Sequence, residues 1–219
     1  MFFENESDAL NNLNNLDLLN EIDIMPSVSA NTESIPIVPI CFVKGSKVLT
    51  DQGLIEIQNI DIHFHTIREK KIVAITKTKL SQDFLVQIKK HSLYKNVPNE
   101  CTQMSPNHKL LYNSQMISAK DLIGKVIGIE AIPYNNETLY NVLLETHSKM
   151  IVNNLISETL DPMNIIGVLY NSALNPDKKK HIINELNITI KTNDMKNYKK
   201  IVKILMRKSN QKKWNYKKN

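Results

Sequence analysis

The pattern of apolar and polar positions changes character twice along the chain. Residues 1–38 place Leu10, Leu13, Leu16, Leu18 and Leu19 at partly helical spacing, which predicts a short amphipathic helix near 7–24. The stretch PSVSANTESIPIVPI follows, with three prolines and no helical period. It predicts an extended arm that runs through Pro39 into Cys41.

From Cys41 the pattern becomes that of strands. SKVLT and LIEIQNI are β-rich runs joined at Asp51-Gln52-Gly53, a hairpin signal in which Gly53 is free to take a positive φ. Strands are predicted over Lys71–Lys77, Phe84–Lys89, Lys109–Tyr112, Gln115–Ser118, Lys125–Pro133 and Leu139–Glu145. Residues Ala119–Gly124 read as one helical turn closed by glycine. Lys149–Val152 and Leu155–Ser157 flank Asn153-Asn154, the signal of a type I′ hairpin. Many short strands with closely spaced turns predict a compact all-β module.

After Asp161-Pro162 the period becomes helical. Helices are predicted over Met163–Ala173, Asp177–Leu186 and Met195–Lys208, with disorder in the closing QKKWNYKKN. The predicted organisation is an acidic flexible leader over 1–38, a mainly β module over 39–160, and a basic, mainly helical tail over 161–219.

Charge sharpens these divisions. The net +6 of the 219 residues is an average of −7 over residues 1–40, +2 over 41–175 and +11 over 176–219. The tail sets Trp214 and Tyr216 among lysines and has Arg207 as its one arginine, a composition that predicts loose polyanion or nucleic-acid attraction over 176–219 rather than base reading. The apolar runs are too short to span a bilayer, and the first residues lack the basic flank and apolar run of a secretory signal. Two cysteines exclude a disulfide scaffold and a four-cysteine zinc site, so a reducing, cytosol-like compartment with free thiols is expected.

Few residues carry chemistry. Read alone, Cys41 and Cys101 are small buried hydrophobes, Cys101 on a strand. Cys41 differs in standing where the arm meets the first strand. Ser105-Pro106-Asn107-His108 sits between two strands and supplies an imidazole suited to proton transfer near neutral pH, with a hydroxyl three residues earlier. His63-x-His65 reads as a half-exposed strand rather than a metal pair, because no third ligand stands at a telling spacing. His147 reads as a turn residue, and Asp83 as a candidate orienting carboxylate. No motif calls for a cofactor or a metal.

CFVKGSKVLTDQGLIEI resembles the first block of the Hint module shared by hedgehog autoprocessing domains and inteins. SPNHKLLY is similar to that family's Thr-x-x-His block, with Ser105 in place of the threonine. SAKDLIGKVI resembles the segment that follows, and LYNVLLETHSKMIVNNLISET the closing strands. The four blocks stand in family order over roughly 41–160, without an endonuclease insertion. The nearest resemblance is to Hint-like modules of large DNA viruses and phages, whose last strand also ends in Glu-Thr-Leu.

The resemblance implies a single-turnover reaction of the chain on itself. Cys41 is the implied nucleophile on the Ile40 carbonyl, His108 the general acid/base, Ser105 a supporting hydrogen-bond group, and His147 and Asp83 accessory groups. An N–S acyl shift at Ile40–Cys41 would turn an amide into a more easily attacked thioester. The far end departs from the family. With Asn154 on the turn glycine, Glu158-Thr159 takes the His-Asn position and Leu160 the nucleophile position. Shifted by one, Ser157-Glu158 stands there, followed by Thr159. Neither register offers an asparagine to cyclise, so the expectation is cleavage without splicing, the thioester passing to water or another nucleophile. The alternatives are an inactive Hint fold serving as a structural or interaction module, and polyanion binding through the tail.

Overall fold

A computed structural model describes residues 40–216 apart from residue 81. The predicted leader helix and the arm through Pro39 lie outside the described residues. The strands form two sheets. The first comprises β1 (Phe42–Val43), β4 (Thr66–Ile67), β5 (Lys70–Thr78), β6 (Phe84–Ile88), β7 (Thr102–Met104), β10 (Ile129–Pro133) and β11 (Leu139–Leu144). Its order is β10-β6-β7-β1-β11-β5-β4. The second comprises β2 (Lys47–Thr50), β3 (Gly53–Glu56), β8 (Lys109–Tyr112), β9 (Gln115–Ser118), β12 (Lys149–Val152) and β13 (Leu155–Glu158), in the order β3-β2-β12-β13-β8-β9.

The short strand β1 fixes the geometry that matters. It lies in the middle of the first sheet, with Phe42 paired to Tyr140 on one side and Met104 on the other. The chain therefore enters the module through the centre of a sheet and not along its edge. Phe42 is fully buried in a core that also takes Val48, Leu110, Val142, Met150 and Val152, so both sheets contribute. Burying an aromatic side chain of this size contributes roughly 1.5–3 kcal/mol.

The hairpins form where turn chemistry predicts them. Gly53 adopts φ +119°, and Asn153 and Asn154 adopt φ 48° and 65°, the left-handed pair that a type I′ turn requires. β5 is bulged at Val73, opposite the step from Leu143 to Leu144 of β11. Strand alternation turns neighbouring β11 residues to different cores: Val142 and Leu144 join the core between the sheets, and Leu143 joins a second one.

That second core belongs to the helices α1 (Ile165–Tyr170), α2 (Pro176–Lys191) and α3 (Met195–Tyr216). Ile165, Ile166, Leu169, Ile183, Leu186, Tyr198 and Leu205 pack there against Leu143 and Leu160. Asn164 caps α1 by accepting from Ile166 N–H at 3.0 Å. Asn175 caps α2 by accepting from Lys178 N–H at 2.9 Å, with Pro176 starting the helix, an arrangement worth about 1 kcal/mol.

Four sequence expectations need correction. The strand expected from Lys125 begins only at Ile129; Gly124 and Gly128 have φ 73° and 86°, and Lys125 and Val126 donate back to the Leu122 carbonyl in a turn. Cys101 is exposed and precedes β7, because Thr102 takes the inward position and strand alternation turns its neighbour outward. His63 and His65 lie in a turn and not on a strand: Asp61 accepts the His63 N–H at 2.9 Å and donates its own N–H to His65 Nδ1 at 2.8 Å. The end expected to be disordered is helical through Tyr216, as α3 continues.

Candidate functional site

The site is built around one peptide bond, Ile40–Cys41. On its carbonyl side, Asn141 Nδ2 donates to Ile40 O at 2.5 Å. On its nitrogen side, Cys41 N–H donates to Ser105 Oγ at 2.8 Å. Ser105 N–H donates in turn to Cys41 O at 2.9 Å. Both polar ends of the bond are thus held by side chains from strands or turns far away in sequence.

Each of these groups is placed by the fold. Asn141 is in β11, opposite Thr76 of β5, and is fully buried. Its Oδ1 accepts the N–H of Val142 at 2.7 Å, which turns the amide nitrogen toward Ile40. Ser105 and His108 close the turn between β7 and β8, where His108 N–H donates to Ser105 O at 3.1 Å. Ala119 N–H fixes the other side of that turn by donating to His108 O at 2.9 Å.

The His108 imidazole is fully buried and packs on Phe42, with ring centroids 4.4 Å apart and planes tilted by 53°. Its Nε2 lies 3.0 Å from Glu158 O. A carbonyl oxygen only accepts, so Nε2 carries the proton and Nδ1 is the bare nitrogen. Nδ1 is buried and has no hydrogen-bond partner among the described residues. Burial holds the His108 pKa below the ordinary imidazole value; Glu158 and the Cys41 backbone pull the other way without overcoming it. His108 is therefore a neutral base with a free lone pair.

Cys41 sits in a small apolar cluster with Leu80, Leu85, Tyr134 and Leu139. Burial raises its thiol well above the ordinary value, so the resting group is S–H and not thiolate. A neutral thiol and a neutral imidazole suit proton transfer that accompanies bond formation, with no charge separated in the resting state.

The accessory candidates fall in different places. His147 stands between β11 and β12, half exposed, with Nε2 3.5 Å from Glu158 Oε2. The Glu158 hydrogen bond raises the His147 pKa against the opposing effect of burial. Burial pushes Glu158 upward, yet its bonds to His147 and Lys109 N–H outweigh that, and its carboxyl lies below the ordinary value. Asp83 is exposed in the turn before β6, where its carbonyl accepts Tyr134 N–H at 2.9 Å. The His108–Glu158–His147 chain is the carboxylate-bearing network of the site. Among the described residues no group of three His, Cys, Asp or Glu side chains is arranged to hold a metal ion.

Two participants were missed by sequence reasoning. Asn141 had a visible signal, a polar amide inside the apolar run Leu139-Tyr140-Asn141-Val142-Leu143-Leu144. Glu158 was read only as an obstacle to asparagine cyclisation. Its carbonyl contact with His108 depends on β13 pairing with β8, which no local pattern encodes.

The chain's far end is locked. Thr159 Oγ1 accepts from Ser148 N–H at 3.0 Å and donates to Ser148 O at 3.1 Å. Leu160 N–H donates to Val142 O at 2.9 Å, continuing into the helical core. In α2 and α3, Lys178, Lys180, Lys196, Lys199 and Lys200 are exposed, opposite the buried Ile183, Leu186, Tyr198 and Leu205. No helix of the described residues is long and apolar enough to cross a membrane.

A small two-sheet module whose polar groups converge on the peptide bond through which its own chain enters has the design of an autoprocessing-type domain. The chain belongs to the Hint domain family, whose model matches residues 40–164. Among solved structures it is similar to a bacterial intein-like domain from Clostridium thermocellum, with 14% identity over 56% of this chain and 100% of that one, at a TM-score of 0.43. It is also similar to a splice-inactive, GSH-linked variant of the AceL NrdHF class 3 split intein, with 14% identity over 54% of this chain and 96% of that one, at a TM-score of 0.36. No curated protein matches the chain.

Proposed function

We propose that the domain cuts its own chain at Ile40–Cys41 through a thioester, without splicing. The observation that carries this reading is the capture of both ends of the bond, Ile40 O by Asn141 and Cys41 N–H by Ser105. Those two side chains reach the bond from 101 and 64 residues away in the chain.

The proposed step balances as follows. The Cys41 sulfur attacks the Ile40 carbonyl carbon while its proton passes to His108 Nδ1. Negative charge grows on Ile40 O, where the Asn141 amide donates. The carbon–nitrogen bond then breaks as His108 returns the proton to the Cys41 nitrogen. A thioester now joins Ile40 to Cys41, and the free amine remains beside Ser105. Water or another nucleophile attacks the thioester, restoring the thiol and releasing the segment that ends at Ile40.

Splicing would need a second cut at the far end. Glu158 and Thr159 have no side-chain amide to cyclise, and Thr159 is committed to Ser148. This supports a reaction confined to the first junction.

Intact-mass spectrometry of the expressed full chain tests the reading. Loss of residues 1–40, accelerated by hydroxylamine, is expected in the parent and absent in Cys41→Ala. A parent chain that keeps its full mass under thiol and hydroxylamine would leave the second reading, an inactive Hint fold with a structural role. The deep burial of Cys41 and its raised thiol pKa are what favour that alternative.

A further inference from the structure

The helices lie beyond the matched family region of 40–164, yet their core includes a residue of the proposed cleavage site. Ile40 is half-buried and packs against the cluster of Leu143, Leu160, Ile165, Ile166 and Leu169. Cys41, the next residue, belongs to a different cluster. The scissile bond therefore spans two cores, one made by the sheets and one completed by the helices.

The helical side packs closely on the β module. A Cβ on Gly167 would come within 2.6 Å of Asp161 O and 3.0 Å of Pro162 Cα, so α1 sits directly on the backbone that follows β13. Tyr170, at the end of α1, accepts Lys77 N–H with its hydroxyl at 3.0 Å. Lys77 is adjacent to Thr76, which pairs with Asn141, the residue holding Ile40 O.

We propose that α1–α3 form a binding pocket for the aliphatic side chain of residue 40 and so position the bond to be cut. The positioning part rests on the cleavage reading; the pocket itself does not. The pocket takes a branched aliphatic side chain and disfavours a charged one, because seating an ammonium in this apolar cluster would strip it of water with no polar partner. Ile40 is thus a positioning residue, and the helices are the element that selects what may stand before Cys41.

The test uses the full chain in two arms. In a Cys41→Ala background, hydrogen exchange of the α1 and α3 amides is compared for Ile40, Ile40→Val and Ile40→Lys. Lysine is expected to speed exchange in α1 by tenfold or more, with valine close to the parent. In the reactive chain, Ile40→Lys and Gly167→Ala are expected to slow cleavage tenfold or more, with Ile40→Val and Ile40→Leu within threefold of the parent. Unchanged exchange with lysine overturns the pocket. Faster exchange with an unchanged cleavage rate overturns its positioning role. Faster exchange in a chain that never cleaves, parent included, supports the pocket and removes the cleavage reading instead.

Discussion

Ser105 grips Cys41 from both sides, accepting its N–H through Oγ at 2.8 Å and donating its own N–H to the Cys41 carbonyl at 2.9 Å. The pair holds the Cys41 backbone through two successive peptides, the N–H of Ile40–Cys41 and the carbonyl of Cys41–Phe42. Ser105→Ala removes one hydrogen bond and leaves the backbone half of the grip. The expected result is thioester formation slowed about tenfold, in line with a single neutral hydrogen bond. Ser105→Thr keeps the hydroxyl and is expected to stay near the parent rate. Hydroxylamine-trapped product, measured by mass against time, checks both.

Asn141 stands on the carbonyl side, where the proposed attack would develop charge. Its amide is oriented by the Val142 N–H, so the proposed reaction would need no reorganisation there. Asn141→Ala is expected to lower the cleavage rate about 10²–10³-fold, the usual loss for one oxyanion donor. Asn141→Asp exchanges the donor for an acceptor facing Ile40 O and is expected to be at least as slow. An Asn141→Ala chain that cleaves at the parent rate in single-turnover assays removes Asn141 from the mechanism.

His108 gives a pH signature. As a neutral base with a pKa held below 6.5 by burial, it is expected to keep the cleavage rate level below pH 6.5, with the fall at more acid pH. The stability effect has a definite sign. The unfolded chain takes up the imidazole proton near pH 6.5 while the folded chain resists it, so this residue lowers stability as pH falls below 6.5 and has no effect above it. His108→Gln is expected to cut the rate about 10²–10⁴-fold and to remove the acid limb. Denaturant melts across pH for parent and variant read the second effect directly.

The Glu158–His147 contact predicts the opposite limb. His147 is raised above 6.5, so its stabilising contribution is full below pH 6.5 and is lost as pH rises through its folded value. Glu158 is lowered, so its contribution is present above pH 4.5 and is lost as pH falls through its folded value. Glu158→Gln removes the carboxylate charge, and an imidazole NMR titration is expected to show the His147 pKa moving down. A titration unchanged in Glu158→Gln would mean that the carboxylate does not set it.

The two thiols should behave differently toward alkylation. Cys101 is exposed, whereas Cys41 is buried with its thiol pushed upward. Iodoacetamide is expected to label Cys101 about 10²-fold faster in the folded chain, and both at similar rates in denaturant. Peptide mapping after timed quenching reads this, and comparable labelling of the two in the folded chain would contradict the burial of Cys41.

The sequence alone determined the β module and most of its turns. Asp51-Gln52-Gly53 and Asn153-Asn154 are legible because hairpin turns are local: a few residues decide which φ values are available. Cys41, Ser105 and His108 were legible as a set through their resemblance to known blocks, since a cysteine or histidine alone is ambiguous. The apolar run through Val126 and Ile127 misled, because the glycines on either side open a turn that hydrophobicity does not register. Tertiary structure alone decided that Asn141 meets Ile40, 101 residues earlier in the chain, and that His108 meets Glu158, 50 residues later. It also decided that the basic tail has an apolar side shared with Ile40. Such meetings depend on strand order, which no local pattern records: β1 lies between β7 and β11 because strands distant in sequence pair on both of its sides.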